Sequence, residues 1–387
     1  MSKLYFYILM IGCVLSCQNQ NKDRIGTIKA QKEVAINPVA AEEELFSALF
    51  DSVFYMPLYG GVFNELRKIL TFDDYIYISS EMPAVLWRYN KDGILIDSLD
   101  RQGQGPGEYS NIRDFDIDED GDIFILSRTE KRILIYDAQW EYKRQFSIPV
   151  FATAIHVLSG NKILLYCGNE NILTRQQVIL FDWKKEEILN GYFPVDQNQR
   201  KFLNLIDRKN FISSSKELIF TRGFDPTLYR FEKEEMQPWI TIDFGKFSLP
   251  QEYLDDDYQN IMKFYEALRQ TDYAFRIIGW CMSDKDVMFH YEKSNQFYLV
   301  ILDRKNYKTR ILNRMTDDVI FKGSTFENIV EFGPYTADQN GQFYFFINEG
   351  EMDFQGMEGE GSDDVSFGRK FNGTYLLKVG MNEFEEQ

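Results

Sequence analysis

The chain has 387 residues, 44% of them hydrophobic and 16% aromatic, and carries a formal net charge of -17. That length can bury a large core. An acidic field of that size repels nucleic-acid phosphates and anionic headgroups, so neither is expected as a partner of the protein body.

In chain order, Lys3 precedes an apolar stretch from Leu4 to Val14 that is too short to span a bilayer, and Val14-Leu15-Ser16-Cys17 closes it. Small residues running up to a thiol form a lipid-attachment box. We read residues 1–16 as a lipoprotein signal and Cys17 as the acylated first residue of the mature protein. Gln18 is not the acid that retains lipoproteins at the inner membrane. The expected address is therefore the outer membrane, facing either the periplasm or the exterior. Attachment runs through the lipid, which supplies several chains where a single fatty acid would hold only marginally. Residues 17–44 are polar and lack a sustained period, which predicts a flexible tether, with the folded domain over 45–387.

From Leu45 onward one unit recurs, alternating turn signals with short strands rich in Ile, Phe and Tyr. The clearest copy runs Asp114 to Asp118, turns at Glu119-Asp120-Gly121, and returns as Asp122 to Leu126; Arg132–Asp137 and Tyr142–Ile148 complete a four-stranded meander. With Trp87, Ile135, Leu180, Leu228, Val300 and Leu376 taken as equivalent, the intervals are 48, 45, 48, 72 and 76 residues. The first three are blade-sized. Each long interval holds an insertion. One, about 248–270, opens at Ser248-Leu249-Pro250-Gln251 and spaces Leu254, Tyr258, Ile261, Tyr265 and Leu268 as an amphipathic helix. The other, about 349–370, is an acidic, Gly-rich loop. Six meanders exceed the strand number of an ordinary sandwich, so the expected fold is all-β, a six-bladed propeller. Asp51–Leu58 is the strand available to close the ring on the C-terminal unit.

Between the first two units stands Arg101-Gln102-Gly103-Gln104-Gly105-Pro106-Gly107-Glu108-Tyr109. With Cys17 upstream, this stretch resembles that of the six-bladed β-propeller lipoproteins of Gram-negative gut anaerobes, related in shape to NHL-repeat propellers and largely without assigned activity. The resemblance covers nearly the whole mature chain and implies fold and address more than function. Three glycines and a proline indicate a tight connection from an outer strand to the next inner strand. Arg101, Glu108 and Tyr109 either point to the central opening as a contact site or pair adjacent blades, the second being the structural alternative.

Other candidate chemistry is thin. Asp116, Asp118, Asp120 and Gly121 match the start of a calcium loop, but Ser127 stands where a bidentate acid belongs, and alternation with Phe115 and Ile117 reads as a strand with its acids turned outward. No metal and no cofactor are expected. Histidines occur only at His156 and His290, both in strand-like runs, where burial with one satisfied hydrogen bond is the expected state. Cys13 belongs to the signal, which leaves Cys167 and Cys281 as small core residues rather than a bridge. The sequence thus points to a non-enzymatic binding or scaffolding propeller, with a glycan, peptide or envelope protein as partner. The alternative is a lactonase-like, metal-dependent hydrolase or lyase using acids along the axis.

Overall fold

A computed structural model describes residues 29–195, 209–214, 217–320, 324–326, 333–348 and 374–383. The signal, Cys17 and the acidic loop lie outside these residues. Six antiparallel sheets follow one another along the chain. Blade 1 comprises Leu66–Phe72, Tyr75–Ser80, Val85–Asn90 and Leu95–Leu99; blade 2 Asp114–Ile117, Ile123–Ser127, Arg132–Tyr136 and Tyr142–Ser147; blade 3 Ala154–Val157, Lys162–Tyr166, Gln176–Asp182 and Glu187–Pro194. Blade 4 comprises Phe211–Ser213, Leu218–Phe220, Thr227–Glu232 and Glu235–Asp243, and blade 5 Phe275–Met282, Asp286–Lys293, Gln296–Asp303 and Thr309–Asp317. Blade 6 takes Pro334–Ala337, Phe343–Asn348 and Thr374–Met381 from the end of the chain and Phe50–Leu58 from its beginning. The ring is closed as the isolated early strand implied, in register from Leu58 opposite Thr374 to Phe50 opposite Met381.

Side-chain alternation explains why middle strands read as continuous apolar runs. In blade 2, Ile123 and Ile125 pack toward blade 1 whereas Phe124 and Leu126 pack toward blade 3. Both faces of each sheet are buried, so the period-2 contrast between core and solvent is lost. Six apolar clusters result, one at each junction from blade 1 against blade 2 round to blade 6 against blade 1. All six residues taken as equivalent fall in the third strand of their blade.

Turns repeat a single device. Asn90, Asp118, Asp137 and Asp338 each accept backbone N–H bonds from residues two and four further on, which builds the turn around one side chain.

Two expectations are corrected. The ordered chain begins before Leu45: Lys32–Ala35 adds to blade 4 and Glu42–Leu45 to blade 5, each parallel to the outermost strand. Val34 and Ile36 are buried between those blades, and Ser324–Phe326 also pairs with the last strand of blade 5. Polar composition hid these segments because only alternate positions face the sheet. The insertion is likewise not one helix. Gln251–Asp255 ends where Asp256 turns extended, and Ile261–Arg269 starts afresh with Asn260 capping Lys263 N–H at 3.0 Å. Phe264 and Leu268 are buried, while Ser248 bonds Phe244 N–H and Asp243 instead of capping a helix.

Candidate functional site

The first strands of the six blades touch in an unbroken circuit, each contacting the next from Leu66–Phe72 round to Pro334–Ala337 and back. They enclose an axial cavity of 180 Å³ to which every blade contributes. Lys68 comes from blade 1, Asp116 from blade 2 and His156 from blade 3; Lys209 and Phe211 from blade 4, Met282 from blade 5 and Thr336 from blade 6 complete the wall. A wider opening of 680 Å³ shares His156, Ser213 and Ser214 with it and lies among the turns that follow the inner strands of blades 2, 3 and 4.

Three blades are tied together at this wall. Asp114 Oδ2 accepts from Ile155 N–H and Asp116 Oδ2 from Val157 N–H, both at 2.8 Å, so two carboxylates of blade 2 serve as backbone acceptors for blade 3. Lys68 Nζ reaches over from blade 1, donating to Phe115 O at 2.6 Å and lying 3.1 Å from Asp114 Oδ1. His156 Nδ1 sits 2.8 Å from Asp116 Oδ2. These acids are buried, and the outward orientation expected for them is corrected: a propeller's first strand has no solvent face, and its polar side chains meet the neighbouring blade.

Electrostatics follow from that geometry. Burial opposes ionisation of Asp116, but the His156 and Lys68 charges, with the His156 and Val157 hydrogen bonds, outweigh it and hold the carboxyl below its ordinary range. Burial dominates at Asp114, whose carboxyl is pushed up. Lys68 loses solvation too, yet the Asp114 and Asp116 charges raise it above the usual ammonium value. An ionised Asp116 accepts only, so the proton between it and His156 resides on Nδ1, and Nε2 is the ring atom left to the cavity. Among the described residues Nε2 has no protein partner. Lys209 donates to Tyr335 O at 3.2 Å, linking blade 4 to blade 6.

The other candidate residues lie elsewhere. Tyr109 is fully buried in the cluster between blades 1 and 2, donating to Leu99 O at 2.8 Å. Glu108 folds back to accept from Gly105 N–H at 2.7 Å, and its carbonyl takes a bond from Arg132. Arg101 reaches Trp140 O at 3.4 Å. None of the three lines the axial cavity, which corrects the reading that points them to the central opening; their contacts are those of blade pairing. Glycine is required at Gly107, where a Cβ at φ +71° would meet the Tyr142 ring at 2.8 Å; one on Gly103 would meet the Glu108 carboxylate at 2.1 Å and displace it.

Asp118 is spent on its own turn, so the calcium-loop pattern is a hairpin. Among the described residues, no three His, Cys, Asp or Glu side chains converge as metal ligands. His290 is buried in blade 5 away from the cavity lining, and Cys167 and Cys281 are buried free thiols. Sequence reasoning missed Lys68 and Lys209 as axial groups. A lone Lys in Leu66-Arg67-Lys68-Ile69 reads as a solvated edge, and only closure of the ring turns it inward.

A six-bladed propeller with a polar axial cavity is the class that fold and geometry define. The chain belongs to the family described as Domain of unknown function (DUF4934), which matches residues 34–358. No curated protein matches it. Among solved structures it is similar to a "Putative exported protein" of Bacteroides fragilis, at 14% identity and a TM-score of 0.68, covering 91% of this chain and 100% of the other. It is also similar to a member of the DUF4221 family from Bacteroides vulgatus, at 9% identity and a TM-score of 0.51, covering 86% and 97%. At such identities these likenesses speak for the fold.

Proposed function

We propose that this protein is an outer-membrane-anchored lipoprotein whose propeller is a binding module, non-enzymatic, with the axial cavity as its ligand seat and the loops around it open to a glycan, peptide or envelope protein. The observation that carries the reading is the cavity itself, a polar recess built by all six blades. Its charged groups already have protein partners, which leaves a hydrogen-bonding lining rather than a set of convergent free carboxylates. The metal-dependent hydrolase alternative draws no support from the described residues. Export and anchoring rest on the Leu4–Cys17 pattern, and the likeness to the "Putative exported protein" of Bacteroides fragilis supports export.

Metabolic labelling with a radioactive fatty acid, followed by envelope fractionation, tests the anchor. Wild-type protein should carry label and sediment with outer membrane, and Cys17→Ser should lose both. Label retained by Cys17→Ser, or wild type recovered free of membrane, would refute it.

A further inference from the structure

We infer that the axial cavity takes a small neutral, hydroxyl-rich molecule, a polyol or monosaccharide, and that His156 Nε2 forms a hydrogen bond with one of its hydroxyls. This rests on the binding reading above and names the ligand class. Every charged group in the wall already has a protein partner. Lys68 is met by Asp114 and Phe115 O, Asp116 by His156 and Val157 N–H, Lys209 by Tyr335 O. Asp338 accepts from Tyr344 and from its own turn, and Asp284 is also engaged. A charged ligand would be desolvated without gaining a free counter-charge. A neutral one avoids that cost.

What the wall offers instead is His156 Nε2, hydroxyls of Ser213 and Thr336 and the Gln339 amide, beside the apolar surfaces of Leu70, Phe211 and Met282. Groups that both donate and accept at close spacing suit such a lining, and hydroxyls do this where amines or carboxylates do not. At roughly 30 Å³ per water, 180 Å³ corresponds to about six waters. A ligand that replaces each water's hydrogen bonds with a hydroxyl keeps the polar wall satisfied while releasing the waters. A carbon skeleton bearing several hydroxyls fits both the volume and the walls.

The chain has two histidines, so its spectrum labelled at histidine Cε1 contains two imidazole signals, with buried His290 as internal reference. The full-length protein, in a detergent without sugar headgroups, is titrated with glycerol, myo-inositol, D-glucose and D-galactose, and separately with acetate, phosphate and methylammonium. His156→Gln assigns the signals. At least one neutral probe should shift the His156 signal saturably and leave His290 in place, and the three ions should leave both unmoved. In Asp116→Asn, with the His290 signal unchanged to report an intact fold, affinity should fall at least tenfold because the ring loses the carboxylate that positions it. An ion that shifts His156 while the neutral probes do not would overturn the ligand class and leave the binding reading standing. Silence of His156 toward all seven probes would overturn the inference and move the seat from the axis. The anchoring part of the proposed function falls separately, and leaves this inference untouched, if the fatty-acid label is absent from wild type.

Discussion

Blades 2 and 3 form one kind of wall and blades 4 and 5 another. Blades 2 and 3 hold four strands each, joined by short turns, and are stitched near the axis by Asp114, Asp116, His156 and, from blade 1, Lys68. Blades 4 and 5 carry the helical insertion and are finished at their outer edges by N-terminal segments, with Val34, Ile36, Phe46 and Leu49 buried beneath. One half is locked from inside by buried charge, the other from outside by added strands that cover exposed edges. The same fold is thus held by two physical means, buried charge beside the axis and apolar side chains beneath the outer edges.

The largest effect should come from the inner lock. Lys68→Met leaves two buried carboxylates without their cation, and a loss of about 3–5 kcal/mol is expected in urea unfolding; a loss below 1 kcal/mol would mean that the inner stitching contributes little. On the outer lock, Ile36→Ala should cost about 3 kcal/mol by leaving a cavity between blades 4 and 5. If Ile36→Ala is neutral, the N-terminal strands are decoration and the comparison fails.

Acidity sharpens it further. Burial, with Asp303 opposite, pushes the Asp286 carboxyl up to about 6 from an ordinary 3.8. The folded-state value exceeds the unfolded one, so its contribution is fully present below about pH 4 and is lost as pH rises through 6. Asp286→Asn should therefore stabilise the protein by about 3 kcal/mol at pH 7.5 and by little near pH 4. A pH-independent gain would point to another cause. Asp116 has the opposite sign: its carboxyl is held low, so what it contributes is present above the ordinary carboxylate range and goes as pH falls below it. The smallest change is Gly107→Ala, about 1–2 kcal/mol for a left-handed residue, measured as a fall in thermal midpoint. No fall would mean that the Gly-rich connection tolerates the side chain that the Tyr142 contact excludes.

The contrast between the halves also marks what the sequence could reveal. Middle strands such as Ile123–Ser127 and Arg132–Tyr136 are apolar, short and bounded by Asp- or Gly-containing turns, so blade count, order and clasp were readable from them. First strands were not, Asp114–Ile117 and Ala154–Val157 apart. Leu66–Phe72 and Phe211–Ser213 carry Lys68 and Ser213 toward the axis and mimic exposed edges. Lys32–Ala35 and Glu42–Leu45 escaped for a related reason: a four-residue strand at an outer edge needs only one or two apolar residues. The candidate site was legible as ingredients, since Asp116 and His156 stood out singly. Their pairing needs a 2.8 Å contact between neighbouring blades, forty residues apart in the chain, and no local pattern encodes it.

The account depends most on the inner ring acting as one charge-compensated unit, and a double-mutant cycle on Lys68→Met and Asp114→Asn measures that directly. The Asp114→Asn change should restore part of what Lys68→Met removes, giving a coupling energy of about 1–3 kcal/mol by urea unfolding. Additive losses, with coupling indistinguishable from zero, would contradict it.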